Sequence, residues 1–193
     1  IFSTYEPTSA ISRLGRGELA LHDAPEDVRI VLGLCEEARV ATKGYFDVRA
    51  NQAKPLDPSG LVKGWSVDRG AEILERAGAT NYAVYAGGDI RVSGGALPRE
   101  DWRIGIEHPG DRRSVATTIV SRSAAIATSG AYIRGDHVRN PHTGKAPAGV
   151  LSVTIVGASL ATADAYATAA FAMGEEGAQW AAGLDGFEAL TLL

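Results

Sequence analysis

With 193 residues, 45% of them hydrophobic and 22% charged, the chain has enough apolar material for one domain with its own core, and it does not have the composition of a disordered chain. A net charge of −4, with the arginines scattered along the sequence, supplies no basic field and argues against a nucleic-acid partner. No run of about 18 apolar residues occurs, so no helix here is expected to span a membrane.

After a short polar N-terminal segment, Pro25, Glu26 and Asp27 predict a helix start, with proline at its first position and acids in its first turn, and Gly44 ends it. Within that helix, at about 26–42, the single cysteine, Cys35, shares the spacing of Val28, Val31, Ala38 and Thr42, which makes it a small buried residue rather than a nucleophile. A second helical pattern runs from about Val62 to Ala77, with Val62, Trp65, Ala71 and Leu74 as its buried stripe and Gly78 as its stop. The period then changes. Asn81 to Ala86 and Ile90 to Ser93 read as strands around Gly87, Gly88 and Asp89, and Trp102 to Glu107 and Val115 to Ser121 read as strands around Pro109, Gly110 and Asp111. Leu151 to Val156 is a further strand, Ser159 caps a helix from about Leu160 to Met173, and Phe187 to Leu192 is a last strand. Helices and largely antiparallel strands in separate runs predict an α+β fold, one domain over residues 1–193.

Four segments have the composition of sites. On the third long helix Asp164 and Thr168 stand one turn apart and present a carboxylate and a hydroxyl to the same point, the outline of a hard-cation site suited to Mg²⁺ or of a plain Asp–Thr hydrogen bond. Gly87 and Gly88 permit positive φ and close approach of a ligand to backbone, with Asp89 as an acceptor, and a plain hairpin turn fits them equally. Thr128, Ser129 and Gly130, after a strand, are phosphate-holding residues or an ordinary loop. Residues 135–144 gather His137, Asn140 and His142 around a Pro-x-Thr-Gly turn. His137, with an ordinary pKa of about 6.5, is a candidate general base, and His142 is expected at the surface.

Taken together and in order, these segments resemble the ApbE family of flavin transferases. The family's D-x-G-x-x-A-K-G-x-x-V-D run is matched by Asp57 to Asp68, A-G-G-D-I by Ala86 to Ile90, A-T-S-G by Ala127 to Gly130, H-x-x-D-P-x-T-G by His137 to Gly144, and D-A-x-A-T-A by Asp164 to Ala169. The resemblance implies a T-fold-like FAD-binding fold and Mg²⁺-dependent transfer of FMN from FAD to a threonine or serine of a target flavoprotein, with release of AMP. It implies that Asp164, Thr168 and a main-chain oxygen at Gly60 hold the metal, and that His137 is the base. Tyr5 would pack on the flavin ring, while Tyr45, Phe46, Asp47, Lys63, Asp89, Thr128, Ser129 and Gly130 would contact the nucleotide. Asn140 stands where the family has Asp, Gly15 where an Asn is common, and Pro58 and Ser59 where Leu-Gly is usual. An Mg²⁺-dependent FAD pyrophosphatase yielding FMN and AMP, or an FAD-binding protein without turnover, fits the same motifs. The resemblance further implies a bacterial protein whose first strand, and any export signal or membrane anchor, would lie upstream of Ile1.

Overall fold

The structure, a computed structural model, describes residues 1–50, 54–96, 100–131 and 138–193. Two short elements open the chain: α1 (Ala10–Gly15), capped by the Ser9 hydroxyl, and a 3₁₀ turn at Leu21–Asp23. The polar composition of this stretch hides α1, which buries a single side chain, Ile11. Next comes α2 (Glu26–Ala41), where Pro25 is the cap residue rather than the first helical one. Val28, Val31, Cys35 and Ala38 form its buried face, as their spacing predicts. Burial pushes the Cys35 thiol up to about 12, so it is an inert filler of the core.

The second long helix, α3 (Ser59–Arg76), begins three residues earlier than its apolar pattern suggests, because Asp57 accepts hydrogen bonds from the Ser59 amide and hydroxyl and nucleates the first turn. Its buried stripe is Leu61, Gly64, Val67, Asp68 and Ala71. Of the four residues expected there, Val62, Trp65 and Leu74 are only half-buried, since a glycine and an aspartate occupy positions on the true inner face.

Five strands form one antiparallel sheet in the order β1 (Tyr82–Ala86), β2 (Asp89–Ser93), β5 (Ala124–Gly130), β6 (Ser152–Gly157) and β7 (Glu188–Leu192). The β1–β2 hairpin turns on Gly87 and Gly88, both at positive φ (56° and 103°), a two-residue turn that other residue types resist. A separate hairpin, β3 (Trp102–His108) and β4 (Asp111–Ser121), covers one face of the sheet. Ile106 of that hairpin packs on Val92, Ala124 and Ile126, and the Trp102 indole donates to the Ser93 carbonyl at 2.9 Å. Each side chain of that size buried from water contributes about 1.5–3 kcal/mol.

The opposite face carries α4 (Leu160–Met173), with α5 (Glu176–Ala182) after it. Ala163, Ala167 and Ala170 of α4 face the sheet, while Ala161, Ala165 and Ala169 face α2 and α3. The helix is thus buried on both sides, and its small side chains let its neighbours come close. Two glycines mark this: a Cβ would lie 1.9 Å from the Ala170 carbonyl oxygen at Gly177 of α5, and 2.3 Å from the Leu160 carbonyl oxygen at Gly64 of α3. Among the described residues no helix is long and apolar enough to cross a membrane.

Candidate active site

Two of the residues that matter chemically are carried by the close-packed pair α3 and α4. On α3, Lys63 precedes Gly64, and on α4, Asp164 lies one turn beyond the helix start. Strand β2 opens with Asp89, placed immediately after the two-glycine turn. The three side chains meet: the Lys63 ammonium is 2.6 Å from Asp89 Oδ2 and 3.6 Å from Asp164 Oδ1. Both carboxylates are almost wholly shielded, with side-chain exposures of 1% and 4%. Asp89 Oδ1 also accepts from the Thr128 amide at 3.3 Å, and Asp164 Oδ2 from the Gly64 amide at 3.2 Å. Burial, and next to it the charge of Asp89, pushes the Asp164 carboxyl up to about 7, against the opposing pull of Lys63 and the Gly64 amide. The Lys63 ammonium thus lies within 4 Å of both buried acids, and burial outweighs its pull at Asp164.

Around this cluster opens a cavity of about 700 Å³. Its lining includes Lys63, Asp164 and Thr168 together with Gly60, Thr128, Ser129 and Gly130. Tyr5, Tyr45, Phe46 and Asp47 line it too, so residues from five separate stretches of sequence share one cleft. Thr128, Ser129 and Gly130 lie inside β5, not in a loop after a strand. The run Ala124–Ile126 that precedes them is short and apolar without alternation, and no strand is predicted over it, so β5 emerges from its pairing with β2 and β6. Asp89 lies beneath the lining and reaches the cleft through Lys63. His137 falls outside the described residues. His142 is exposed, as expected, and its ring packs edge-on against Tyr45 at 4.6 Å.

The local chemistry explains why several of these residues point inward. Thr42 at the end of α2 donates to the Ala38 carbonyl and accepts from the Phe46 amide at 3.0 Å, which fixes the turn that delivers Tyr45, Phe46 and Asp47. Tyr5, 85% exposed, stands at the rim with the Lys54 ammonium 4.1 Å from its ring centre, and Lys54 is also 3.3 Å from Asp57. Asn140 accepts through Oδ1 from the amides of His142 and Thr143, at 2.9 and 3.3 Å. That is the Asx-turn role an aspartate would play, so the substitution keeps the loop's hydrogen bonds and removes one negative charge.

Two lining cations were not singled out from the sequence, Lys54 and Arg139. Lys54 stands in none of the motifs, and Arg139 fills an unspecified position of the His137–Gly144 one. Asp68 closes the Asp57–Asp68 motif without an assigned role, and Arg91 stands in no motif, although it shares a strand face with Asp89 by the two-residue period.

Oxygen donors converge where a hard cation would sit. The Ser129 and Thr168 hydroxyls are 3.3 Å apart, and a Cβ added at Gly60 would lie 3.0 Å from Thr168 Oγ1, so that backbone passes directly over the hydroxyl. A buried, under-neutralised carboxylate beside hydroxyl and main-chain oxygens fits Mg²⁺ better than a softer metal. Among the described residues no group of three His, Cys, Asp or Glu side chains assembles.

Fold and cleft define an α+β protein with a large cleft, lined in part by aromatic and basic side chains, over a buried charge cluster. The chain belongs to the ApbE family, whose model matches residues 49–191. It is 42% identical over 131 residues to an FAD:protein FMN transferase of Vibrio cholerae, a match covering 63% of this chain and 39% of that protein. A relative of the same name from Treponema pallidum is 31% identical over 177 residues, 79% of this chain and 49% of the relative. The chain thus spans less than half the length of these curated relatives. Among solved structures, a flavin transferase ApbE from Vibrio cholerae superimposes with a TM-score of 0.85 at 29% identity, over all of this chain and 79% of that one. A Pseudomonas stutzeri flavinyl transferase ApbE, at 20% identity and a TM-score of 0.84, shares the fold.

Proposed function

We propose that this chain binds FAD in the cleft and, with Mg²⁺, transfers its FMN portion to a threonine or serine hydroxyl of a target flavoprotein, releasing AMP. The observation that carries this reading is the Lys63–Asp89–Asp164 cluster beneath an aromatic-lined cleft, in a family whose curated relatives are named FAD:protein FMN transferase. FAD asks for a flat apolar surface and for neutralisation of a diphosphate. Tyr5 and Tyr45 offer the first, and an aromatic face on a ring adds about 0.5–1.5 kcal/mol beyond area burial. Lys63 offers the second, with the Ser129 hydroxyl as a donor and Lys54 and Arg139 at the lining.

Asp164, Thr168 and the main chain at Gly60 would hold the magnesium, which supplies charge neutralisation at the diphosphate when bound. In the transfer, the acceptor oxygen bonds to the FMN phosphorus as that phosphorus parts from the bridging oxygen, which leaves on AMP. The acceptor's proton passes to a base, the role the sequence motif offers to His137. Lys63 holds the diphosphate, while Asp89 keeps the ammonium in place.

Incubation with FAD, Mg²⁺ and an acceptor flavoprotein domain, followed by mass spectrometry and chromatography, tests this. The expected result is an acceptor heavier by one FMN, with one AMP released and the label lost in Asp164→Asn. Free FMN with an unlabelled acceptor would replace transfer by hydrolysis, and unchanged FAD would reduce the reading to binding.

A further inference from the structure

We propose that Asp68 is the positioning residue of this site: its single buried carboxylate ties together the three elements that carry Lys63, Asp89 and Asp164. The inference rests on the proposed function for its catalytic consequence, and on geometry alone for the positioning itself.

Asp68 lies five residues beyond Lys63 on α3 and is 8% exposed. Its Oδ1 accepts from Arg91 Nη1 at 2.8 Å and from the Leu160 amide at 3.2 Å. Its Oδ2 accepts from the Ser159 hydroxyl at 3.2 Å and the Ala161 amide at 3.0 Å. Four donors thus fill the roughly four acceptor positions a carboxylate has. Arg91 stands two residues after Asp89 on β2 and so shares its face of the sheet. Leu160 and Ala161 stand one turn or less before Asp164 on α4. Asp89 and Asp164 are therefore each within about one strand repeat or one turn of a group bonded to Asp68, and Lys63 lies five residues before Asp68 on the same helix.

A simple helix cap does not need this arrangement. The Ser159 hydroxyl already accepts from the Thr162 amide at 3.3 Å, and the negative charge of Asp68 at the positive end of α4 would stabilise the helix without any bond to a strand. The bond to Arg91 adds β2 to the pair α3 and α4. Arg91 Nη2 is held in turn by Glu75 at 3.5 Å, and Glu75 accepts from the Tyr82 hydroxyl of β1. The brace therefore runs from the sheet edge to the start of α4, beside the cluster and out of the cleft, since Asp68 does not line the cavity.

The test is Asp68→Asn, which keeps the volume but turns one acceptor into a donor facing donors. The Gly64 amide, which bonds Asp164 and not Asp68, is the reporter. In amide NMR spectra of the unliganded protein, the Gly64 resonance is expected to shift and broaden while that of Ile155, deep in β6, stays put. With FAD and Mg²⁺ at saturation, turnover is expected to fall roughly 10- to 100-fold, more than FAD affinity does. An unmoved Gly64 resonance with altered Leu160 and Ala161 amides would overturn the proposal and leave Asp68 a helix cap. The spectrum needs no FAD, so a parent protein that fails to bind FAD sinks the functional reading and not this one. If Asp68→Asn does not fold, Arg91→Gln removes only the strand connection. The same Gly64 shift in that variant supports the brace, and parental spectra and turnover refute it.

Discussion

Replacing Lys63 by methionine keeps most of the side-chain volume and removes an ammonium that lies within 4 Å of both buried acids. At an effective dielectric of about 20, a unit pair at these separations has a gross attraction of roughly 5–6 kcal/mol, most of which offsets desolvation. Removing one partner of a buried pair costs about 3–5 kcal/mol because the remaining charge is stranded. Lys63 is one quarter exposed, which lets water take up part of that, so about 2–4 kcal/mol is the expected loss at pH 8. Against a typical stability of roughly 5–15 kcal/mol this is a large fraction.

The pH dependence gives the sharper test. Asp164 titrates near 7 in the folded chain and near 3.8 when unfolded, so the folded state binds more protons between those values. Stability from this group is complete below the lower value and is lost as pH rises through the upper one. Without Lys63 the carboxyl is pushed higher still, so the Lys63→Met deficit should be greatest at pH 8 and shrink by about half at pH 5.5, where Asp164 is neutral. Urea denaturation of parent and variant at both pH values measures it. A deficit below about 1 kcal/mol at pH 8, or one equal at both values, would refute the shared-ammonium account.

Four further outcomes follow from the same geometry. Gly64→Ala places a Cβ 2.3 Å from the Leu160 carbonyl oxygen, so α3 and α4 must separate, and a loss of about 1–3 kcal/mol in thermal unfolding is expected. Mg²⁺ bound at Asp164 must displace its proton below pH 7, so calorimetric affinity should fall about tenfold per pH unit from 7 to 5 and be flat above. Asn140→Asp keeps both Asx-turn bonds and should change stability by less than about 0.5 kcal/mol, whereas Asn140→Ala should cost about 1, as denaturant midpoints will show. Cys35, buried and pushed up to about 12, should react with a thiol reagent only at the rate of unfolding, which stopped labelling at increasing urea can read.

How much of this was legible beforehand depends on what kind of signal each residue carries. Asp164 and Thr168 announce themselves because an acid stands among alanines at a helical interval, and Gly87 and Gly88 because only a tight turn needs both. The α2 core followed from periodicity alone. Strand β5 does not show in the sequence because Ala124, Ala125 and Ala127 have no preference for strands: Ala125 and Ala127 are small to admit α4 against the sheet and Ala124 packs under the β3–β4 hairpin, tertiary demands no local pattern records. Such demands also displaced the α3 stripe, where Gly64 is required by the Leu160 backbone and Asp68 by four donors from two other elements. In the sequence, Asp68 is one more acid on a helix that also carries Glu72 and Glu75, and its bonds run to positions 23 and 91–93 residues away. The motif preserves such a residue without saying why. What the fold adds is a physical reason: three charged side chains from distant sequence can share a site only if the backbones bearing them are fixed to one another, and here one carboxylate makes that connection.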